Sequence, residues 1–363
     1  MAKPVASSTL GSEPDTYFYS LARTGTNSLA TIGSDDTLRI FDPSTLRNIT
    51  AARTPGSGLS CLQTFSASDQ TLATAGRDGT IRLWDTRSSS GGGGSGGCKP
   101  ISQIPEPHGR AFSALASHSH ILAAGTESTK EGLGDVSVLL YDTRGNASVP
   151  LREYAESHTD SITQLAFHPG NPACVLSGST DGLVSLFDGN EADEEEALKV
   201  VLNPRSAVHC AGFLSAGEIY VLTTDEQFLI YPLPTSAEAG GGEDVGGGTG
   251  GEAGGEGEAG TAEQDFGDVR GDLDCMYVVN LLRQPGDEQP MIAYGHNEQQ
   301  RLGVVQLSSS SSSGGGGGGR WGFGARVDFP GAHGEEVVRD MLVGEEGRAW
   351  SCGEDGCVRV WKW

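Results

Sequence analysis

The stretch LATAGRDGTIRLWD, residues 72–85, decides the fold. It reads as an apolar strand, a tight turn at Asp78-Gly79, and an alternating strand ending on Trp84-Asp85. Asp-Gly between alternating apolar runs is a strong hairpin signal. VLSGSTDGLVSLFD at 175–188 repeats it, with Asp181-Gly182 at the turn and Phe187-Asp188 at the end. Looser copies are LATIGSDDTLRIFD at 29–42, ILAAGTE and VSVLLYD within 121–142, IYVLTTDEQFLIYPL at 219–233, MIAYGHNEQQRLGVVQL at 291–307 and AWSCGEDGCVRVW at 349–361. Upstream of most lies another short apolar run, and His108, His158 and His333 precede three of these.

Seven copies at a regular spacing mean an architecture of stacked or ringed units. Three stretches stand outside the pattern: 88–97 is Ser and Gly only, 236–265 is mostly Gly and Glu, and 308–319 is six Ser followed by six Gly. With them set aside, the copies average about 44 residues, and propeller blades of four strands run about 40–45. The low hydrophobic share of 36% is then less surprising, because the inserts add little to any core.

RLWD at 82–85, the His158-to-Asp188 frame and the ending VRVWKW at 358–363 resemble the WD-repeat family. The resemblance covers nearly the whole chain outside the inserts. It implies an all-β fold, a single seven-bladed propeller with blades about 13–45, 55–87, 107–144, 157–190, 205–235, 268–307 and 332–363. It also implies buried hydrogen-bonded sets of His, turn Asp, Ser or Thr, and Trp. Blade 7 would supply His333, Ser351, Asp355 and Trp361; blade 4 His158, Ser177 and Asp181, with Phe187 in place of Trp; blade 2 Thr74, Asp78 and Trp84, without an upstream His. Blades 5 and 6 depart furthest from the pattern. No outermost strand follows Cys357–Trp361, so the segment Pro4–Leu10 is expected to donate it and close the ring.

The inserts 88–97, 236–265 and 308–319 are expected to be disordered and to sit at blade-to-blade connections. The net charge is −24, and the runs 191–196 and 236–265 contribute −13 of it. Such a surface disfavours direct nucleic-acid binding and attracts basic proteins. The acidic insert is either a solvated, drifting loop or a tether for such partners. Seven cysteines, an odd number without CxxC spacing, suggest reduced thiols rather than disulfides or zinc. There is no signal-peptide h-region at the start and no apolar run of transmembrane length. Nuclear or cytoplasmic location is expected, with no membrane contact.

The turn acids recur at one repeat position, which argues for structure rather than catalysis. Their neighbours Arg77, Thr180, Glu226, Asn297 and Glu354 differ between blades and are candidates for a partner-binding rim. His118 and His120 lack further ligands for a metal. GxGxxG-like strings within 246–260 reflect glycine abundance, and no helix follows to make a phosphate loop. No cofactor and no enzymatic activity are expected. The leading expectation is a non-catalytic interaction platform, monomeric by itself. Alternatives are an acidic escort for a basic client such as a ribosomal protein or histone, and a substrate adaptor of a ubiquitin ligase, to which Trp84-Asp85-Thr86-Arg87 and Tyr141-Asp142-Thr143-Arg144 fit loosely.

Overall fold

The computed structural model describes residues 2–363 except 26, 67, 88–97, 131, 146, 234–259, 285 and 311–319. Its strands form seven four-stranded antiparallel sheets. Blade 1 holds β2 (Phe18–Thr24), β3 (Ser28–Gly33), β4 (Thr37–Phe41) and β5 (Asn48–Arg53). Blade 2 holds β6 (Leu59–Ser66), β7 (Thr71–Gly76), β8 (Thr80–Asp85) and β9 (Pro100–Pro105). Blade 3 holds β10 (Phe112–His118), β11 (Ile121–Thr126), β12 (Val138–Asp142) and β13 (Arg152–Tyr154). Blade 4 holds β14 (Ile162–His168), β15 (Asn171–Ser179), β16 (Val184–Asp188) and β17 (Leu198–Leu202). Blade 5 holds β18 (Val208–Ser215), β19 (Glu218–Thr223), β20 (Gln227–Pro232) and β21 (Gln264–Asp268). Blade 6 holds β22 (Tyr277–Gln284), β23 (Asp287–His296), β24 (Arg301–Ser310) and β25 (Arg320–Pro330). Blade 7 holds β26 (Val338–Val343), β27 (Arg348–Gly353) and β28 (Val358–Lys362), and its fourth strand is β1 (Lys3–Ser8) from the chain start.

The seven-bladed propeller is thus closed by an N-terminal strand. Pro4 pairs with Trp361 and Ser8 with Val358. Leu10, just past β1, is buried with Phe18, Leu46 and Trp350 between blades 7 and 1. The hydrophobic core has the same form all round. Among the described residues seven apolar clusters occur, and each draws its side chains from two neighbouring blades. Strand alternation produces this, because each sheet buries both faces, one against each neighbour.

The innermost strand of every blade carries a register shift near its start, for example Leu59/Cys61, Phe112/Ala114, Ile162/Gln164 and Val208/Cys210. Such a bulge re-aims the extra residue. Ser60, Ser113 and Thr163 each donate a side-chain hydroxyl to a carbonyl of the next blade, at Phe112 (2.7 Å), Ile162 (2.7 Å) and Val208 (2.9 Å). Blades are therefore laced together around the axis as well as packed.

The structure revises the placing of the inserts. They do not join blades. They fall between the third and fourth strands of blades 2, 5 and 6. The outermost strand follows each one, outside the blade ranges expected above. Ser308–Ser310 continue β24, paired with Gly322, Trp321 and Arg320, and Gln264 and Asp265 open β21. The expected disorder of 88–97 and most of the other two inserts falls outside the described residues.

Candidate functional site

The turns joining second and third strands line one end of the ring. In blade 7, His333 Nδ1 meets Asp355 Oδ1 at 2.7 Å, and His333 Nε2 meets Ser351 Oγ at 2.8 Å. The Trp361 indole N–H donates to the same Ser351 oxygen at 2.9 Å. Burial holds the His333 pKa below its ordinary value, against the pull of Asp355. Arg359 Nη1 also lies 2.7 Å from His333 Nδ1, so the ring sits between Ser351 on one side and Asp355 with Arg359 on the other. In blade 4, His158 bridges Asp181 (3.0 Å) and Ser177 (2.7 Å), and Phe187 leaves Ser177 without an indole donor. In blade 2, Trp84 donates to Thr74 at 2.9 Å, but Asp78 stands apart from that pair and binds Arg82.

That arginine is a partner the repeat pattern alone did not suggest. In blades 1, 2 and 7 the residue four past the turn Asp is Arg39, Arg82 or Arg359, and each pairs with its Asp. The D-x-x-x-R spacing stands in plain view at 35–39, 78–82 and 355–359. Blade 3 uses a different device. Glu106 accepts from the backbone N–H of His108 (2.6 Å) and Arg110 (2.8 Å), and the Arg110 side chain reaches Glu106, Ser137 and Glu153.

The five rim candidates differ in exposure and in partners. Arg77 is exposed, 3.4 Å from Glu127 of the next blade. Glu354 pairs with Arg339. Thr180 is half-buried, its N–H on the Ser161 carbonyl. Asn297 turns its side-chain oxygen inward, with no hydrogen-bond partner among the described residues. Glu226 is a correction: it is 9% exposed and not on the rim. It occupies the left-handed slot of its turn (φ 62°), where blades 2, 4 and 7 place Gly79, Gly182 and Gly356. From there its carboxylate accepts from Val278 N–H of blade 6 at 3.1 Å. Burial pushes its pKa up to about 7. Asp36 fills the same slot in blade 1 (φ 57°) and likewise reaches the next blade, accepting from Gly56 N (2.8 Å) and Leu59 N (3.1 Å).

The axial channel has a volume of about 340 Å³ and is lined by Ser20, Ser60, Ser113, Thr163, Asn280 and Asp340 among others. Asp340 accepts from Leu21 N (2.8 Å), Ser20 Oγ (3.2 Å) and Met341 N (2.7 Å). It ties blade 7 to blade 1, and burial pushes its pKa up to about 6. His118 and His120 flank the tip of the β10–β11 hairpin, and His118 lies 5.9 Å from the Phe167 ring. Among the described residues no three His, Cys, Asp or Glu side chains cluster as a metal site, and no helix is long and apolar enough to cross a membrane.

A ring of seven four-stranded blades, with a full His–Asp–Ser–Trp set in blade 7 and partial sets in blades 2 and 4, defines a WD-repeat propeller. The family model described as WD domain, G-beta repeat, matches residues 48–85 and 148–188. Each match begins on or just before the outermost strand of one blade and runs through three strands of the next, so the sequence repeat is offset from the blade by one strand. An uncharacterized WD repeat-containing protein of Saccharomyces cerevisiae is 30% identical over 335 residues, 91% of this chain and 74% of that protein. The chain belongs to the WD-repeat proteins. A WD repeat-containing protein 89 homolog of Dictyostelium discoideum is 28% identical over 213 residues, 58% of this chain and 53% of that protein. The nuclear pore complex protein nup43 of the same organism is 30% identical over 169 residues, 46% of this chain and 36% of that protein.

Proposed function

We propose that this propeller is a non-catalytic platform for protein–protein interaction. One observation carries the reading: the polar side chains at the repeat positions and in the channel are engaged in bonds within a blade or to the next one. His158 and His333 bind the Asp and Ser of their own blades, and the channel hydroxyls of Ser60, Ser113 and Thr163 donate to carbonyls of the next blade. Catalysis asks for unlike polar groups converging on a reachable atom. A rigid ring with variable turns instead offers preformed surface for partners. Arg77 and Glu354, on the turns at one end, are the rim residues best placed to meet one.

The name of the nuclear pore relative supports membership of a nuclear or cytoplasmic assembly. The net charge of −24 argues against direct nucleic-acid contact. The ubiquitin-ligase alternative gains nothing, since Arg87 and Arg144 fold back onto Asp85 and Asp142. The test is size-exclusion of a gentle native extract, followed by tagged purification. The protein should elute well above its own 37.7 kDa with defined protein partners. Elution as a lone monomer from fresh extract would overturn the proposal.

A further inference from the structure

The sheet that closes the ring sets three bases side by side. At the end where first and second strands meet, opposite the rim of Arg77 and Glu354, Lys3 of β1 pairs with Lys362 of β28, and Lys362 pairs with Arg348 of β27. The three form a row across three strands, with neighbouring Cβ atoms about 5 Å apart. They share one face. Arg348 alternates with Trp350 and Cys352, and Lys362 with Val360 and Val358, all four in the apolar cluster packed against blade 1. Each of the three bases is exposed. Among the described residues none of them makes an ion pair or a side-chain hydrogen bond. No other strand pair of the described sheets sets base against base.

Like charges placed directly opposite each other cost stability. The chain holds 48 acids against 24 bases, yet no acid is set into this row. The acids around it serve other groups. The Asp42 carboxylate takes four donors from Ser44 and Thr45, on the blade 1 turn whose Pro43 carbonyl accepts the Trp350 indole N–H. Glu345 offsets the burial that lowers the Arg23 pKa. Arg23 lies over the Trp350 ring, 5.8 Å from its centre, and donates to the Val343 carbonyl. It adds a fourth cation on the inner side of the row. Glu346 stands on the turn before Arg348, exposed. On the far face of the sheet Trp363 meets Phe329 edge-on, and Asp328 faces Arg301 of blade 6.

Charge and size select the anion. A row about 10 Å long fits one compact group rather than a run of them. A nucleic acid or an anionic membrane would bring its charge over a wide face against a molecule of net −24. A phosphate monoester concentrates about two charges on one group with three acceptor oxygens, and Lys and Arg are the side chains that bind it.

We infer that Lys3, Lys362 and Arg348 form a docking site for a phosphate monoester on a partner protein, a phosphoserine or phosphothreonine in an exposed segment. The inference rests on the interaction-platform reading and adds to it a second face and a partner chemistry. The probe is a fluorescein-labelled peptide, Gly-Gly-Ala-phosphoserine-Ala-Gly-Gly, titrated by anisotropy beside versions with Ser and with Glu. The phosphopeptide should bind saturably, and the Ser and Glu versions about ten-fold or more weakly. Lys362→Gln and Arg348→Gln should each weaken phosphopeptide binding by about ten-fold or more. Lys362→Gln also removes the repulsion on both its sides, so its melting temperature in chloride should not fall. Phosphate in place of chloride stabilises most proteins at equal ionic strength. The rise should be greater in the wild type than in Lys362→Gln by about 2 °C or more. Equal binding of the Ser or Glu peptide, full binding by folded Lys362→Gln, or an equal rise in both proteins would overturn the site. So would binding of phosphoinositide vesicles or duplex DNA in place of the phosphopeptide. In native extract, treatment with a protein phosphatase and Lys362→Gln should remove the same partner. If both keep every partner, the phosphate site fails and the platform stands; if the untreated wild type has no partner, the platform itself fails.

Discussion

Glu226 shows how one side chain couples two blades. A left-handed turn slot favours Gly, yet an acid there extends over the neighbouring inner strand and accepts its first free N–H. The arrangement buries a carboxylate whose one charged neighbour of opposite sign, Arg270, is exposed, while Asp225 and Asp268 add repulsion. The folded pKa of about 7 lies above the ordinary 4.5. A proton is therefore held in the folded state and not in the unfolded one between those values, and stability from this group falls as pH rises through that window. Glu226→Gln keeps an acceptor for Val278 N–H and removes the charge. It should stabilise the protein at pH 8 by up to about 3 kcal/mol, since each tenfold change in proton affinity is worth about 1.4 kcal/mol. The gain should shrink as pH falls toward 4.5. Thermal melts of both proteins across this range decide it, and a gain independent of pH would sink the explanation. The sequence pattern puts Glu226 on the rim because its neighbours in the repeat are polar and variable. The backbone angle that turns it inward leaves no mark on residue type, and in this slot only glycine would have announced itself.

The closure strand is the element on which the ring depends. Without β1, β28 would present an open edge and Leu10 would leave its place beside Phe18 and Trp350. Burial of one leucine is worth about 1.5–3 kcal/mol, before the lost ladder is counted. Deleting residues 1–12 should lower stability by about 3 kcal/mol or more and raise light scattering before the melt, since bare edges pair between molecules. An unchanged melting temperature would refute closure by this strand. The missing outer strand of blade 7 was legible because the last repeat stops early and a spare apolar–polar stretch stands at the start. The other outer strands were not. β9, β13 and β21 are short and half-exposed, and two of them follow low-complexity sequence. Only pairing with the third strand distinguishes such segments from loop. The inner strands of blades 2, 4 and 7 read most clearly because both their faces are buried and the turn chemistry between them is strict.

At the scale of the whole molecule, seven equivalent interfaces share the load and the charge does not. Acids outnumber bases two to one, 48 against 24, and the ion pairs seen are mostly local, within one turn or between adjacent blades. The exposed ones among them, such as Arg87–Asp85 and Arg270–Asp268, contribute little, about 0–1 kcal/mol each. Self-repulsion acts over longer distances, so added salt should relieve more than it removes. The melting temperature should therefore rise between about 20 and about 300 mM NaCl, where the screening length falls below the spacing between blades. Removing 236–259 deletes six acids and moves the net charge from −24 to −18. That deletion also shortens the connection between β20 and β21, which by itself favours folding at every salt concentration. Slope separates the two effects: shortening shifts the whole curve upward, and charge removal makes it shallower. A deletion variant with an unaltered slope would mean that the acids of 236–259 exert no field on the ring, and that acids on the blades themselves set its salt response.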